Sequence, residues 1–321
     1  MKKIKVGVIG VGYLGRIHAA KYAAMDDVEL VGVSDTNESA ARDVANKLSC
    51  RPFTDYKEML DLVDAVSVVT HTKQHFKVAD HCLEQGVDVL VEKPMTTTTD
   101  EADRLISRAE SCQRILQVGH IEQFNPAILA MEQYLTTPVF IEAQRLHSFK
   151  PRGTDVDVVL DLMIHDLDII LGIVDSPLAS IHSVGAPLVT ANSDIANCRL
   201  IFENGCTANV TASRISRQNT RKMRIFQPDS YITVDFGNKE FSIITNKGER
   251  HKDGQPVEEV TSFSFPEKDA LATEIKAFIL NVRQRTTPKI GGRQGRQALR
   301  TALMIIEQIK SHREEHPDLF G

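Results

Sequence analysis

Three glycines near the N-terminus constrain the fold of this chain more than any other feature. Gly10, Gly12 and Gly15 follow the apolar run Val6–Ile9 in the pattern G-x-G-x-x-G, and a helical pattern begins directly after them. In a strand–turn–helix, Gly10 permits the tight turn, Gly12 lets a pyrophosphate approach the backbone, and Gly15 allows close packing. Free N–H groups at the helix start favour such an anion. Because three glycines also occur in ordinary loops, the surrounding sequence pattern must show whether this is a dinucleotide-binding turn.

Apolar strands alternate with amphipathic helical segments from Lys3 to Val118. This is the spacing of βαβ units and predicts a parallel sheet covered by helices on both faces. Strands are predicted at Ile4–Ile9, Val28–Ser34, Ala65–Thr70, Val87–Glu92 and Ile115–Val118, and helices are predicted to begin near Leu14, Glu38, Gln74 and Asp100. Residues 1–120 are therefore predicted to form a doubly wound, Rossmann-type domain.

Asp35 directly follows the second predicted strand, about 20 residues after the glycines, where a carboxylate can bind the adenosine ribose of a dinucleotide. A carboxylate there would repel a 2′-phosphate, so the sequence predicts NAD rather than NADP. A simple turn residue is the alternative. Further along, Thr70 and His75 lie where a strand gives way to a helix, and they are predicted to contact the cofactor. His71 and His75 have the spacing of a metal pair, but no third ligand is nearby and no metal is expected.

The segment Glu92-Lys93-Pro94 follows another predicted strand. A lysine at the carboxyl end of a parallel strand, followed by a proline that restricts the backbone, predicts a positioned cation beside the cofactor. A solvated loop lysine is the alternative.

Past His120 the pattern changes to segments that often alternate apolar and polar residues, as an antiparallel sheet with one covered face does. A helix is predicted from Pro126 to about Tyr134. The predicted strands are Val139–His147, Ile181–Val189, Asp194–Phe202, Thr207–Ile215, Lys222–Gln227, Tyr231–Phe236, Phe241–Thr245 and Val257–Phe263, and two helices follow at Lys268–Gln284 and Arg293–Arg313. Residues 121–321 are therefore predicted to form a second domain of the α+β class, whose last helix can pack back on the first.

One predicted helix among these strands, from Val158 to about Val174, carries a polar stripe. Asp161, His165 and Asp168 are spaced at i, i+4 and i+7 and so share a face, whereas Asp166 points elsewhere. The rest of the helix is apolar, so these groups are expected to be buried and either paired or functional. Asp161 can fix the tautomer of His165, which suits a general base. A satisfied core histidine is the alternative.

Basic residues, beginning with Arg214, are frequent between Asn204 and Pro228, a stretch without an acidic residue. Arginines on one face of a strand suit a phosphate-bearing ligand, and Arg152 is a second candidate contact. An oligomer interface or a solvated sheet surface fits the same residues equally well.

Composition excludes several other classes of protein. The net charge of −5 argues against broad nucleic-acid or membrane-surface binding. The N-terminus has no signal-peptide pattern, and no apolar run is long enough to span a membrane. The five cysteines are scattered and never in C-x-x-C spacing, which indicates reduced thiols and a cytoplasmic protein.

The glycine pattern, Glu92-Lys93-Pro94 and Asp161-x-x-x-His165 occur together and in order. With them the chain resembles the glucose-fructose oxidoreductase / inositol dehydrogenase / rhizopine catabolism (Gfo/Idh/MocA) family over nearly its whole length. The resemblance implies a Rossmann domain followed by a domain with a large open, mainly antiparallel sheet that commonly mediates dimers or tetramers. It also implies that His165 is the general base, that Asp161 orients it, and that Lys93 stabilises charge on the reacting oxygen.

These motifs define a set of expected contacts. The cofactor contacts are expected at Gly10, Gly12, Tyr13, Leu14, Gly15, Asp35, Thr70, His75, Glu92 and Lys93, and the substrate contacts at Asn125, Arg152 and Arg214.

Three stretches, Gln117–Pro126, Thr154–Asp168 and Arg224–Tyr231, are similar to bacterial members of this family that oxidise the C3 hydroxyl of UDP-N-acetylglucosamine for lipid A precursor synthesis. This resemblance implies a nucleotide-sugar substrate, a homodimer or homotetramer, and an aminotransferase as pathway neighbour. Two alternatives stay open. One is a dehydrogenase of a free sugar or cyclitol such as inositol, and the other is a non-catalytic NAD-dependent sensor or regulator on the same fold.

Overall fold

A computed structural model of the chain describes residues 2–149, 156–250 and 256–319. The chain divides into two compact units. The first comprises Met1–Ile121 and Ala270–Leu299, and the second comprises Glu122–Asp269 and Arg300–Gly321. The segment Ala270–Leu299 thus belongs to the first unit, whereas the sequence-based range of 121–321 groups it with the second domain.

The first unit is built on a six-stranded sheet whose described neighbouring pairs all run parallel. Its strands are β1 (Ile4–Ile9), β2 (Val28–Ser34), β3 (Arg51–Phe53), β4 (Ala65–Val68), β5 (Asp88–Glu92) and β6 (Leu116–Gly119). The order β3-β2-β1-β4-β5-β6 reverses direction between β1 and β4. Doubly wound folds bind ligands in the crevice at the carboxyl ends of such a pair. The predicted Rossmann-type sheet is confirmed.

The helices of the first unit are α1 (Tyr13–Ala23), α2 (Glu38–Leu48), α3 (Lys57–Leu60), α4 (Thr72–Glu84), α5 (Thr99–Ser111) and, much later in the chain, α8 (Ala270–Gln284). Of these, α1, α2 and α8 contribute side chains to its apolar core cluster. Leu271, Ile275 and Phe278 of α8 are buried in the same cluster as Val6 of β1 and Tyr22 of α1. Their spacing of three and four residues makes one apolar stripe, which explains why α8 adds to this core.

The second unit is built on an eight-stranded sheet. Its strands are β7 (Phe140–Leu146), β8 (Leu178–Ala186), β9 (Ile195–Phe202), β10 (Thr207–Ser213), β11 (Thr220–Phe226), β12 (Ser230–Asp235), β13 (Glu240–Arg250) and β14 (Pro256–Ser264). The order is β14-β13-β12-β11-β7-β10-β9-β8. β7 and β10 pair in parallel, and the other described pairs are antiparallel. The predicted large, mainly antiparallel sheet is confirmed.

The remaining described elements are several short helical segments and one long helix. They are α6 (Pro126–Met131), α7 (Ile164–Ile173), a π-helical turn (Val159–Met163), 3-10 turns (Ile121–Phe124, Glu132–Tyr134 and Pro317–Leu319), and α9 (Gly292–Glu315), whose first part belongs to the first unit. α7 packs against β7 and β10.

Several predicted boundaries are wrong. The sequence does not predict β3 or α3. β3 has only three residues, one of them Pro52, and α3 has only four, so neither is long enough to show a hydrophobic periodicity. β4 ends at Val68 instead of Thr70, whose carbonyl oxygen lies 3.0 Å from the His75 ring and can accept its N–H. β8 ends at Ala186, before the predicted end at Val189.

Candidate active site

The three N-terminal glycines serve different structural needs. Gly10 has a φ of +88°, and a Cβ there would lie 2.5 Å from the Val69 carbonyl oxygen. A Cβ at Gly15 would lie 1.9 Å from the Gly10 carbonyl oxygen, so only glycine fits. At Gly12 a Cβ would meet no atom within 4 Å and would fill the open space at the start of α1. This open cradle fits the pyrophosphate of a dinucleotide, which the N–H groups of α1 can bind.

The Asp35 carboxylate is held in place at the carboxyl end of β2. Its Oδ2 accepts the backbone N–H of Val11 at 2.9 Å, and its Oδ1 accepts the N–H of Asn37 at 2.9 Å. One carboxylate thus joins the glycine cradle to the start of α2. Each carboxylate oxygen can accept a further hydrogen bond, so the group fits the ribose hydroxyls of a bound dinucleotide.

A cavity of about 380 Å³ opens at the carboxyl ends of β1, β2 and β4. It is lined by Ile9, Gly10, Gly12, Ser34, Asp35, Thr36, Thr54, Tyr56, Val69, Thr70, His71, Gln74 and Val78. Gly10, Gly12, Asp35 and Thr70 are among the predicted cofactor contacts. The other predicted contacts, Tyr13, Leu14, Gly15, His75, Glu92 and Lys93, lie outside this lining and stay predictions.

The lining also contains Thr54, Tyr56 and Gln74, which the sequence does not predict as cofactor contacts, and His71, which lies in the predicted loop. Thr54 and Tyr56 follow β3, so their placement at the crevice depends on a strand that the sequence pattern does not reveal. Gln74 lies in the first turn of α4, and His71 is its N-cap. The position of a helix start at the carboxyl edge of the sheet was the available signal for these two residues.

His75 has a structural role. Its Nδ1 lies 2.9 Å from the Pro94 carbonyl oxygen, and its Nε2 lies 3.0 Å from that of Thr70. Burial lowers the pKa of His75, although these two carbonyl contacts oppose the decrease. Because both ring nitrogens face backbone oxygens, His75 is poorly placed to bind a metal ion with His71.

Lys93 directly follows β5 and is half-buried. The preceding Glu92 is buried at the end of that strand, and its Oε2 accepts the Lys93 backbone N–H at 3.2 Å. The lysine is therefore attached to a backbone segment that buried contacts hold in place.

The helix that carries His165 does not begin as an α-helix. The Ile164 N–H bonds the carbonyl of Val159, five residues earlier, so Asp161 lies in a π-helical turn and His165 in the first turn of α7. Positions four apart on continuous helical backbone still lie on one side. Both side chains are half-buried. π-helical turns occur frequently at functional sites, which agrees with the predicted catalytic role of this segment.

Asp166, which follows His165, is buried in an ion cluster formed by Arg145, Asp166 and Glu122, here called the Arg145 cluster. Arg145 donates to both Asp166 oxygens at 2.9 Å and to Glu122 Oε1 at 2.8 Å. The two carboxylates raise the pKa of Arg145 despite burial, so the guanidinium is charged. Its carbon also lies 5.1 Å from the centre of the Phe236 ring. The cluster ties α7 to β7.

The third member of the predicted stripe, Asp168, also has a structural partner. Gln123 Nε2 donates to Asp168 Oδ2 at 2.8 Å, and both residues are buried. Asn125, a predicted substrate contact, is the N-cap of α6: its Oδ1 accepts the Ala127 N–H at 3.1 Å, and its Nδ2 donates to the Phe236 carbonyl at 3.3 Å. Its role in substrate binding stays a prediction that these contacts do not support.

The basic residues that were predicted to contact phosphate differ in their burial. Arg214 is only 2% exposed, and its guanidinium donates to the Val156 carbonyl at 2.6 Å and lies 3.9 Å from Asp194. Its depth in the fold therefore argues for a structural role rather than ligand binding. Arg152 lies outside the described residues. On the surface of β11, Lys222 lies 3.4 Å from Asp235, and other basic residues of this stretch remain exposed.

Within the three described ranges, no group of three or more histidine, cysteine, aspartate or glutamate side chains could hold a metal ion. Those ranges also contain no helix long and apolar enough to cross a membrane.

Two family models match this chain. One, described as an oxidoreductase family with an NAD-binding Rossmann fold, covers residues 4–120, and the GFO/IDH/MocA C-terminal domain covers residues 131–232. A UDP-N-acetylglucosamine 3-dehydrogenase from Acidithiobacillus ferrooxidans is 41% identical over 97% of this chain and 99% of the relative. The chain belongs to the Gfo/Idh/MocA oxidoreductase family. This membership confirms the predicted enzyme class and the NAD cofactor.

Solved structures agree with this membership. A structure of UDP-N-acetylglucosamine 3-dehydrogenase from Acidithiobacillus ferrooxidans has a TM-score of 0.90 and 40% identity, and covers 97% of this chain and 99% of that chain. A myo-inositol 2-dehydrogenase from Thermotoga maritima is 25% identical over 92% of this chain and 93% of the relative. The inositol dehydrogenase is therefore the more distant relative of the two.

Replacing Asp35 by alanine is expected to weaken NAD binding roughly ten- to a hundred-fold, because hydrogen bonds to a charged group contribute about 1.5–3 kcal/mol. The same change should improve NADP binding relative to NAD, since it removes the repulsion of a 2′-phosphate. Fluorescence titration with NAD and with NADP measures the ratio of the two affinities. Asp35→Asn is the matched control, because its amide oxygen can still accept one backbone N–H. An unchanged NAD to NADP ratio in both variants would contradict the assignment.

Proposed function

We propose that this oxidoreductase oxidises the C3 hydroxyl of UDP-N-acetylglucosamine to the 3-keto sugar, with NAD as the hydride acceptor. The observation that carries the proposal is the 41% identity, over 97% of the chain, to an enzyme named for this reaction. The open cradle at Gly12, the Asp35 carboxylate and the half-buried His165 supply what such a reaction needs.

In this reaction His165 takes the proton from the substrate hydroxyl as general base. Asp161, four residues earlier on the same side of the helix, orients the imidazole and stabilises its protonated form. The Arg145 cluster and the Gln123–Asp168 contact hold α7 from two sides, so the base keeps a fixed direction. General base catalysis of this kind contributes about 10²–10⁴-fold to the rate.

Lys93 stabilises the negative charge that develops on the hydroxyl oxygen as the proton leaves, an electrostatic contribution that grows toward the transition state. The cofactor supplies the hydride acceptor when it is bound. Gly12 and the N–H groups of α1 would hold its pyrophosphate, and Asp35 its ribose.

The proposal also places the enzyme in a cellular setting. A 3-keto nucleotide sugar carries a carbonyl group that an aminotransferase can convert to an amine, so we propose such an enzyme as the pathway neighbour, in lipid A precursor synthesis. We further propose that the enzyme works in the cytoplasm as a homodimer or homotetramer. The family resemblance supports the pathway and the oligomer, and the scattered cysteines support the cytoplasm.

A panel of UDP-sugars and free polyols tests the substrate. Purified protein with NAD is expected to reduce the cofactor with UDP-N-acetylglucosamine, and the product should be lighter by two hydrogen atoms. UDP alone is expected to inhibit competitively against the nucleotide sugar, because a diphosphate-binding enzyme recognises that part of its substrate. Absorbance of the reduced cofactor and mass spectrometry of the product provide the measurements.

The other outcomes discriminate the alternatives. Turnover of inositol or a free sugar without inhibition by UDP would replace the proposal with a polyol dehydrogenase. Binding of NAD without turnover of any member of the panel would favour a sensor or regulator.

A further inference from the structure

Four polar side chains form a continuous hydrogen-bonded chain inside the first unit. Tyr22 Oη lies 2.8 Å from Ser67 Oγ, and Ser67 Oγ lies 3.2 Å from His18 Nδ1. His18 Nε2 lies 3.1 Å from Glu92 Oε1. Tyr22, Ser67 and His18 are fully buried, and Glu92 is 8% exposed. Polar contacts therefore link α1, β4 and β5 inside the first unit.

One arrangement of protons gives every donor of this chain an acceptor. Tyr22 donates to Ser67, and Ser67 donates to His18 Nδ1; His18 Nε2–H then donates to Glu92. Burial raises the pKa of Tyr22, so the phenol keeps its proton. Burial alone would raise the pKa of the Glu92 carboxyl, but the His18 hydrogen bond and the charge of Lys93 outweigh it, so the pKa is lowered. The chain therefore ends on a carboxylate.

The Glu92 carboxylate is restrained on its other sides as well. Its Oε2 accepts the Lys93 backbone N–H at 3.2 Å. Gly119 at the end of β6 makes room for the carboxylate, since a Cβ there would lie 2.9 Å from the Glu92 Oε1. Beyond Lys93, the Pro94 carbonyl oxygen lies 2.9 Å from the buried His75 ring. Buried contacts thus hold the backbone on both sides of Lys93.

We propose that His18, Ser67 and Tyr22 are positioning residues for the oxidation. They hold the Glu92 carboxylate, and the carboxylate holds Lys93 through its backbone N–H and keeps a negative charge beside it. Because α1 begins at the glycine cradle, the helix that binds the cofactor also sets the position of the lysine. The inference rests on the role proposed above for Lys93.

The titratable groups that face Glu92 come from several elements. His18 belongs to α1, His75 belongs to α4, and Lys93 follows β5. At the other end of the hydrogen-bonded chain, the Glu274 carboxylate of α8 contributes to the raised pKa of Tyr22. Displacing the Glu92 carboxylate changes the charge beside Lys93 and is therefore expected to displace the pH profile of kcat, which a loss of packing alone would not do.

The test measures kcat, its pH profile, NAD affinity and melting temperature with UDP-N-acetylglucosamine and NAD. His18→Leu removes both ring hydrogen bonds, and His18→Gln keeps an N–H for Glu92. Asp88→Asn is the matched control, because Asp88 is a buried carboxylate of the same strand whose partner is Arg285, at 2.5 Å. His18→Leu is expected to lower kcat roughly ten- to a hundred-fold and to displace the pH profile, since small misplacements have effects of this order. His18→Gln should recover part of both, and Asp88→Asn should lower only the melting temperature.

A His18→Leu variant that loses thermal stability alone, as Asp88→Asn should, would overturn the inference. If His18→Leu does not fold, the Tyr22→Phe variant provides the test. It is expected to displace the pH profile of kcat in the same direction as His18→Gln. A wild-type pH profile in Tyr22→Phe would overturn the inference. The Lys93→Met variant separates the proposed catalytic role of Lys93 from the positioning role inferred here. Near-normal turnover of Lys93→Met overturns both, whereas lost turnover together with unchanged profiles in the His18 and Tyr22 variants overturns only this inference.

Discussion

Replacing His165 by alanine is expected to lower kcat by about 10²- to 10⁴-fold, because the reaction loses its general base. NAD binding should stay close to that of the wild type, since the proposed cofactor contacts do not include His165. Steady-state kinetics with UDP-N-acetylglucosamine and a fluorescence titration with NAD measure the two quantities. Added imidazole is expected to restore part of the turnover, because the vacated space can admit a free base.

His182→Ala is the matched control for this experiment. His182 is an exposed histidine on β8 of the same unit, so its loss removes an imidazole without touching α7. Its kcat is expected to equal that of the wild type. Near-normal turnover of His165→Ala would refute the assignment of the base. A loss of turnover that imidazole does not restore, together with a lower melting temperature, would instead indicate a structural histidine.

The main architecture follows from the sequence because its signal is local and periodic. β1 and β2 have the predicted bounds, since each is a short apolar run that ends at a turn residue. The end of β8 shows where such reasoning fails. Leu188 and Val189 look like strand residues but are 65% and 60% exposed, and their N–H groups bond Asp194 at 2.8 Å and 2.6 Å. Hydrogen bonds from these backbone N–H groups to a carboxylate a few residues further on end the strand, and they leave no periodic pattern in the sequence.

The candidate site shows the same division between local and long-range information. The glycine pattern with Asp35 predicts a cofactor crevice, because its residues lie in one strand–helix–strand unit and their roles are geometric. The function of Asp166 could not be predicted, since its partner Arg145 lies on a different element. The same holds for Arg214: the sequence shows a basic residue, whereas its burial depends on the packing of the whole second unit.

Replacing Arg145 by methionine is expected to destabilise the second unit by about 3–5 kcal/mol, the usual effect of removing one partner from a buried ion pair. The side chain is nearly fully buried and donates to Asp166 and Glu122, so its loss leaves two carboxylates together without their cation. Chemical denaturation measures the change in the free energy of unfolding. Because Asp166 directly follows His165, turnover is expected to fall as well.

The size of this destabilisation should depend on pH. Burial raises the pKa of the Asp166 carboxyl, and Arg145 opposes that rise. Without Arg145 the folded-state pKa of Asp166 lies further above the unfolded value of about 3.9. The destabilisation that this charge causes is absent below the unfolded pKa, grows as the pH rises toward the folded pKa, and is complete above it. The difference from the wild type should therefore be smaller near about pH 4 than near about pH 7. Adding Asp166→Leu to Arg145→Met should recover stability if the unpaired charge is the cause, whereas an equally unstable double variant would show that lost packing dominates.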